Sequence, residues 1–144
     1  PLLVRHALDR GVRVIVAHCA SLGAGNFAAF ERLMGESRYQ GRLFGDLSAV
    51  TQANRKGVVA KILAHPEWDG RLLNGSDYPL PGILPLFSLN GFVDQGLLDA
   101  KAVAVLREVR QANAILFDFV LKRSLSYRGS RFPASAFETR GFFE

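Results

Sequence analysis

An α/β fold built on a parallel sheet is predicted for this chain by three observations. Short strand-like apolar runs alternate with helix-periodic segments, and the helices carry one-sided apolar stripes. A histidine or an aspartate closes each of the three runs, at His18, Asp46 and Asp77. Alternation of strand and helix is the pattern of parallel strands joined by right-handed crossovers.

The first run is VRVIVA at residues 12–17, β-branched and nearly continuous, which predicts a strand buried on both faces. A helix is predicted over 26–35, with Phe27, Phe30, Leu33 and Met34 on one stripe and Asn26 as N-cap. Residues 41–50, GRLFGDLSAV, read as a second strand, weakened by its glycine and aspartate. The next helix begins near Asn54, turns Val58, Val59, Ile62 and Leu63 to one side, and must end before Pro66. The third strand is RLLNG at 71–75. Helices alone follow: one from about residues 81–83, one over 99–108, and one over 111–122 with Leu116, Phe119, Val120 and Arg123 at helical spacing.

His18 and Asp46 lie 28 positions apart, and Asp46 and Asp77 lie 31 apart. An eight-unit barrel of roughly 250 residues has about 31 residues per unit. Two architectures match that spacing: a small open α/β sheet, or the C-terminal part of a barrel whose earlier units are not in these 144 residues. In either, the strands deliver their carboxyl ends to one edge, where ligands bind.

Composition narrows the function classes. Hydrophobic residues make up 49% of the chain, enough for a folded core. No apolar run approaches the roughly 20 residues that span a bilayer, so no membrane partner is expected. The first ten residues lack the apolar core and cleavage site of a signal peptide, which makes a cytoplasmic location the expectation. Eighteen Lys and Arg against thirteen Asp and Glu give a formal charge of +5. The basic residues are scattered, with no run beyond Lys122-Arg123, so a solvated surface is expected and no nucleic-acid partner. Cys19 is alone and cannot form an internal disulfide.

Imidazole nitrogen and carboxylate oxygen are suitable ligands for zinc and similar ions, which activate water. His18, after the apolar run, reads as a substrate or metal contact, against a hydrogen-bonded rim residue. Asp77, in NGSDYPLPG, reads as a site residue, against a turn acid. Asp46 is costly to bury unpaired and reads as structural, orienting Ser48 or a loop. Arg55 and Gln52 stand where they could reach an anionic substrate, or are solvated. Asn74 and Ser76 are expected to bond neighbouring backbone, Gly75 to share the face of Asp77, and Cys19 to be a buried, inert thiol. His6 is expected on a surface helix and His65 near a helix C-terminus.

Four segments together, RVIVAHCASLG at 13–23, LFGDLSA at 43–49, LLNGSDYP at 72–79 and NAILFDFVLKR at 113–123, resemble the last strands and helix of the amidohydrolase superfamily. The resemblance is to the branch of metal-dependent hydrolases and decarboxylases related to aminocarboxymuconate-semialdehyde decarboxylase. It implies a distorted TIM (β/α)8 barrel, with residues 1–123 supplying about strands six to eight and their helices, and 124–144 as a C-terminal extension. It implies a divalent metal, zinc, with Asp77 as metal ligand and catalytic base, and His18 as the catalytic residue that polarises or protonates substrate. The family's other ligands, a His-x-His or Glu-x-His pair on strand one and a histidine on strand five, have no counterpart in these residues and are expected in an N-terminal part. Asp46, Ser48 and Arg55 are the further candidates for substrate contact or support.

The expected activity is metal-dependent hydrolysis of a small molecule, inactive as this stretch alone. Non-oxidative decarboxylation and a non-catalytic binding or oligomerisation module are the alternatives. Five Phe and Tyr residues in 124–144 suggest packing onto a barrel exterior or a neighbouring subunit, leaving a homo-oligomer open. A partial barrel with unpaired strand edges is expected to be poorly soluble unless another chain completes it.

Overall fold

The strands form within the short apolar runs that the sequence marks. A computed structural model describes residues 2–144. It is an α/β fold in which β1 (Val14–Val16), β2 (Leu43–Asp46) and β3 (Leu72–Leu73) make a parallel sheet in that order. Val14 pairs with Leu43, Val16 with Gly45, and Asp46 with Leu73. The strands are shorter than the apolar runs that mark them, because glycine and turn residues end the ladder early. The second run pairs only over Leu43–Asp46, and a turn follows.

The chain divides into two compact units: Pro1–Ser48 with Glu67–Gly75 and Pro133–Glu144, and Ala49–Pro66 with Ser76–Phe132. The first unit holds α1 (Leu2–Asp9), α2 (Ala24–Met34) and the whole parallel sheet. The predicted stripe of α2 is buried in full at Phe27, Phe30, Leu33 and Met34. Its cap differs from the expectation: Gly23 is the N-cap, and Asn26 lies inside the first turn, donating from Nδ2 to Leu22 O at 2.9 Å. β1 is not buried on both faces. It forms the sheet edge, and Ile15 remains 40% exposed.

One sheet face packs so closely on the helix layer that only glycine fits at 45. A Cβ there would stand 2.7 Å from Cys19 Sγ and 2.8 Å from Phe30 Cζ. Phe44, one residue earlier, points to the opposite face and meets Phe142 edge-on at 4.7 Å. Phe142 lies in a short helix, Arg140–Phe143. Arg13 stacks on the Phe142 ring at 4.7 Å and donates to its carbonyl at 3.0 Å. Asn74 N donates to Ala136 O at 2.7 Å, so backbone of the final segment carries on from the end of β3.

Arg71, buried at the start of β3, donates to Met34 O at 2.8 Å and Leu43 O at 3.2 Å. Burial lowers the pKa of its guanidinium. At the surface, Arg5 of α1 pairs bidentately with Glu36. That hydrogen bond holds the Glu36 carboxyl below the usual glutamate range and raises Arg5. A lowered folded pKa contributes stability that is present above the unfolded value and lost as pH falls through the folded one. The urea midpoint of Glu36→Gln is therefore expected to decline less on acidification than the parent's. Parallel decline in both proteins would remove this pair from the acid response.

The second unit holds α3 (Val58–Leu63), α4 (Leu89–Asp94), α5 (Ala102–Ala112), α6 (Ala114–Ser124) and a hairpin of β4 (Ser126–Tyr127) and β5 (Ser130–Arg131). All four predicted apolar residues of α3 are buried. Ser88 caps α4 by accepting from Gly91 N at 3.0 Å, and Asn113 caps α6 by accepting from Leu116 N at 2.9 Å. Arg110 of α5 donates to Pro81 O and Ile83 O and lies over the Phe117 ring at 5.1 Å. The segment predicted to start a helix at 81–83 forms two 3-10 turns, Leu80–Gly82 and Leu84–Leu86, because Pro81 and Pro85 withhold backbone donors.

The buried face of α6 is not the apolar spacing read from sequence. Leu116 and Phe119 are exposed, while Phe117, Asp118, Leu121 and Lys122 are buried. Asp118 and Lys122 are inside because they neutralise one another, Nζ to Oδ2 at 2.6 Å. Among the described residues, no helix is long and apolar enough to cross a membrane.

Candidate functional site

All three parallel strands end at the same edge of the sheet, and the backbone turns abnormally just beyond each end. Six non-glycine residues among those described have positive φ. Five of them, His18, Cys19, Ala20, Ala49 and Asp77, fall within four residues of the ends of β1, β2 and β3. Left-handed backbone at a residue with a Cβ costs about 1–2 kcal/mol. Three of the five, His18, Cys19 and Ala20, are consecutive within the first unit, and such strain persists where the surroundings over-determine it.

The turn after β1 presents His18 at φ 54° and ψ 25°. Its imidazole Nδ1 lies 2.7 Å from Ser48 Oγ and 3.0 Å from Ser48 O. Ser48 Oγ in turn donates to Asp46 Oδ2. The His18 ring and Asp46 Oδ2 are 3.8 Å apart, too far for a direct hydrogen bond, so the serine hydroxyl links them. With its own proton given to the carboxylate, Ser48 Oγ can only accept, which assigns the Nδ1–H tautomer to neutral His18. Nε2 has no protein hydrogen bond among the described residues.

Asp46 is fixed from several sides. Oδ1 accepts from Ser48 N at 3.0 Å, and Oδ2 accepts from His18 N at 3.4 Å. Gly75 makes room for it: a Cβ there would stand 2.5 Å from Asp46 Oδ1 and 3.3 Å from Ser48 Cβ. Gly75→Ala is therefore expected to displace the carboxylate and loosen the array while leaving the fold intact. Unchanged 15N shifts of the His18 ring in that variant, by NMR, would show that Gly75 does not hold the array in place.

His18 lines a mostly apolar cavity of about 170 Å³ in the first unit, with Val16, Ala20, Leu22 and Phe30 among its walls. Ser21 also lines it, and its buried hydroxyl has no hydrogen-bond partner. Sequence reasoning missed Ser21, and no local pattern marks it out. Cys19 is fully buried, its thiol 3.4 Å from Asp46 O.

Asp77 and Arg55 stand in the second unit. Asp77 is half-buried at φ 56°, four residues beyond β3. Burial lowers the pKa of Arg55, and the charge of Asp77 opposes that shift. Arg55 is buried, contrary to the solvated alternative, and donates to Gln52 Oε1. The segment from 49 to 55 folds back after β2 in a 3-10 turn, Ala53–Arg55, and this carries the long side chain inward. Ser76 Oγ accepts from Tyr78 N at 3.3 Å. His6 is exposed on α1, and His65 follows the end of α3.

Comparison of the chain with protein-family models, curated proteins and solved structures gave no match.

Proposed function

We propose that this chain supplies catalytic residues of a metal-dependent hydrolase of the amidohydrolase type, in whose (β/α)8 barrel β1, β2 and β3 would be strands six, seven and eight. The observation that supports the reading is the hydrogen-bonded series Asp46–Ser48–His18 at the carboxyl ends of β1 and β2, which leaves Nε2 of His18 without a protein partner. A histidine held at one nitrogen and open at the other is suited to exchange a proton with substrate.

Zinc is the metal that the resemblance implies. Among the described residues, no group of three or more His, Cys, Asp and Glu side chains could hold an ion. Asp46 is already engaged by Ser48 and two backbone amides. The chemistry proposed for this chain is therefore that of its own side chains, His18, Ser48, Asp46 and Asp77. In hydrolysis, Asp77 takes a proton from the attacking water. His18, protonated on Nε2, gives one to the departing group. Ser48 and Asp46 stabilise the imidazolium through Nδ1 and fix the ring's orientation.

The second reading, a non-catalytic module, is favoured by a different observation. The sheet face carrying Ile15, Phe44 and Leu73, which a closed barrel would turn to its interior, is met by Phe142. The two readings part on turnover. In the protein that carries this sequence, assayed with zinc against carboxylic esters and amides, His18→Asn and Asp77→Asn are each expected to lower kcat about a hundredfold. Full turnover in either variant defeats its assignment, and an inert parent protein supports the module. Equilibrium dialysis of the 144-residue chain should find less than one zinc per chain. Tight one-to-one zinc would overturn the expectation that further ligands lie outside these residues.

A further inference from the structure

The second unit contains a cavity of about 220 Å³ that neither the His18 array nor Asp77 lines. Thr51, Gln52 and Arg55 line one part of it, and Val59 and Phe92 another. The three polar residues are 0%, 7% and 9% exposed, yet Thr51 Oγ1, Gln52 Nε2 and Arg55 Nε have no hydrogen-bond partner. Three such atoms in five residues is a concentration that needs a cause, because buried polar groups are nearly always paired.

Their chemistry is uniform. Arg55 Nε and Gln52 Nε2 can only donate, and the Thr51 hydroxyl can donate. The Gln52 amide is not free to turn round: Arg55 Nη1 donates to its Oε1, which commits Nε2 to the unpaired side. Arg55 also donates to Asn54 Oδ1 at 3.4 Å, another neutral acceptor. Among the described residues, Asp77 is the acid whose field reaches the guanidinium, and it makes no ion-pair contact with it. A buried cation without a paired anion is costly, so an anionic occupant is favoured over a neutral carbonyl. Val59 and Phe92, both buried, give that occupant an apolar wall.

We propose that this cavity binds a small organic carboxylate, its oxygens received by Arg55 Nε, Gln52 Nε2 and Thr51 Oγ1 and its apolar body lying against Val59 and Phe92. The site is contained in the second unit and does not depend on the hydrolase reading. Inorganic phosphate shares the oxyanion chemistry but has no apolar body, so it serves as the discriminating competitor.

The test is calorimetric titration of the 144-residue chain with benzoate, benzamide and inorganic phosphate, beside the Thr51→Val and Arg55→Gln variants. Benzoate should bind at one site per chain and raise Tm, with benzamide and phosphate weaker by roughly tenfold or more. Arg55→Gln should lose benzoate binding. Since that variant removes a buried cation and can fail to fold, Thr51→Val is the decisive one. Replacing an unpartnered hydroxyl by a methyl should leave the ligand-free Tm equal or higher while weakening benzoate about tenfold. The absence of saturable benzoate binding overturns the proposal. So does phosphate binding tighter than benzoate, or benzoate affinity unchanged in folded Thr51→Val.

Discussion

Replacing Asp118 by alanine is expected to lower the free energy of unfolding by about 3–5 kcal/mol. Lys122 is wholly buried and Asp118 nearly so, one helical turn apart on α6 with Nζ and Oδ2 at 2.6 Å. Desolvating an ammonium is tolerable only with compensating charge and hydrogen bonds, and Asp118→Ala takes a carboxylate away from it. The pair as a whole carries a different expectation. Asp118→Leu combined with Lys122→Met keeps the volume and removes both charges, and should recover the parent's stability or exceed it. Urea unfolding followed by circular dichroism measures both variants. Equal losses in the single and the double variant would mean that packing, rather than charge, makes these positions matter.

Trp68→Ala should cost about 3–5 kcal/mol for an unrelated reason. Trp68 lies in a 3-10 turn, Pro66–Trp68, and is 2% exposed. Its ring meets Phe30 edge-on at 5.4 Å and Phe27 obliquely at 6.5 Å. The substitution loses the transfer free energy of a large side chain and leaves a void that α2 cannot close, because Phe30 is already wedged against the position of Gly45. Trp68→Phe retains an aromatic edge and should recover much of the loss. The same unfolding experiment decides it, and a loss in Trp68→Ala below about 1 kcal/mol would show that the site collapses freely.

Sequence carried the sheet and two helices because these elements are governed by local rules. Val14, Ile15 and Val16 favour extended backbone, and Phe27, Phe30, Leu33 and Met34 can share a helix face in only one register. It misjudged α6, since a pattern of apolar positions has no way to know that Asp118 and Lys122 travel inward together. The His18 array was legible only as separate candidates: the hydrogen bond that organises it joins residues thirty positions apart. Thr51 and Ser21 carried no signal at all, for an unpaired hydroxyl is defined by its surroundings and not by its neighbours in the chain. The left-handed backbone at His18, Cys19, Ala20, Ala49 and Asp77 was equally hidden, because none of the five is glycine.

The contact between Phe142 and Phe44 has a consequence for the order in which the protein takes shape. Pro133–Glu144 belongs with Pro1–Ser48, while most of the chain between them builds the other unit. On a ribosome, β2 emerges long before the aromatic that meets Phe44, and every residue of the second unit passes in between. Until then Phe44, buried in the folded protein, lacks the ring that meets it. Long sequence separation slows such closure, and exposed strands attract other chains while they wait. Closure of the first unit therefore waits on Phe142, and only after all of the second unit has been made can that ring reach Phe44.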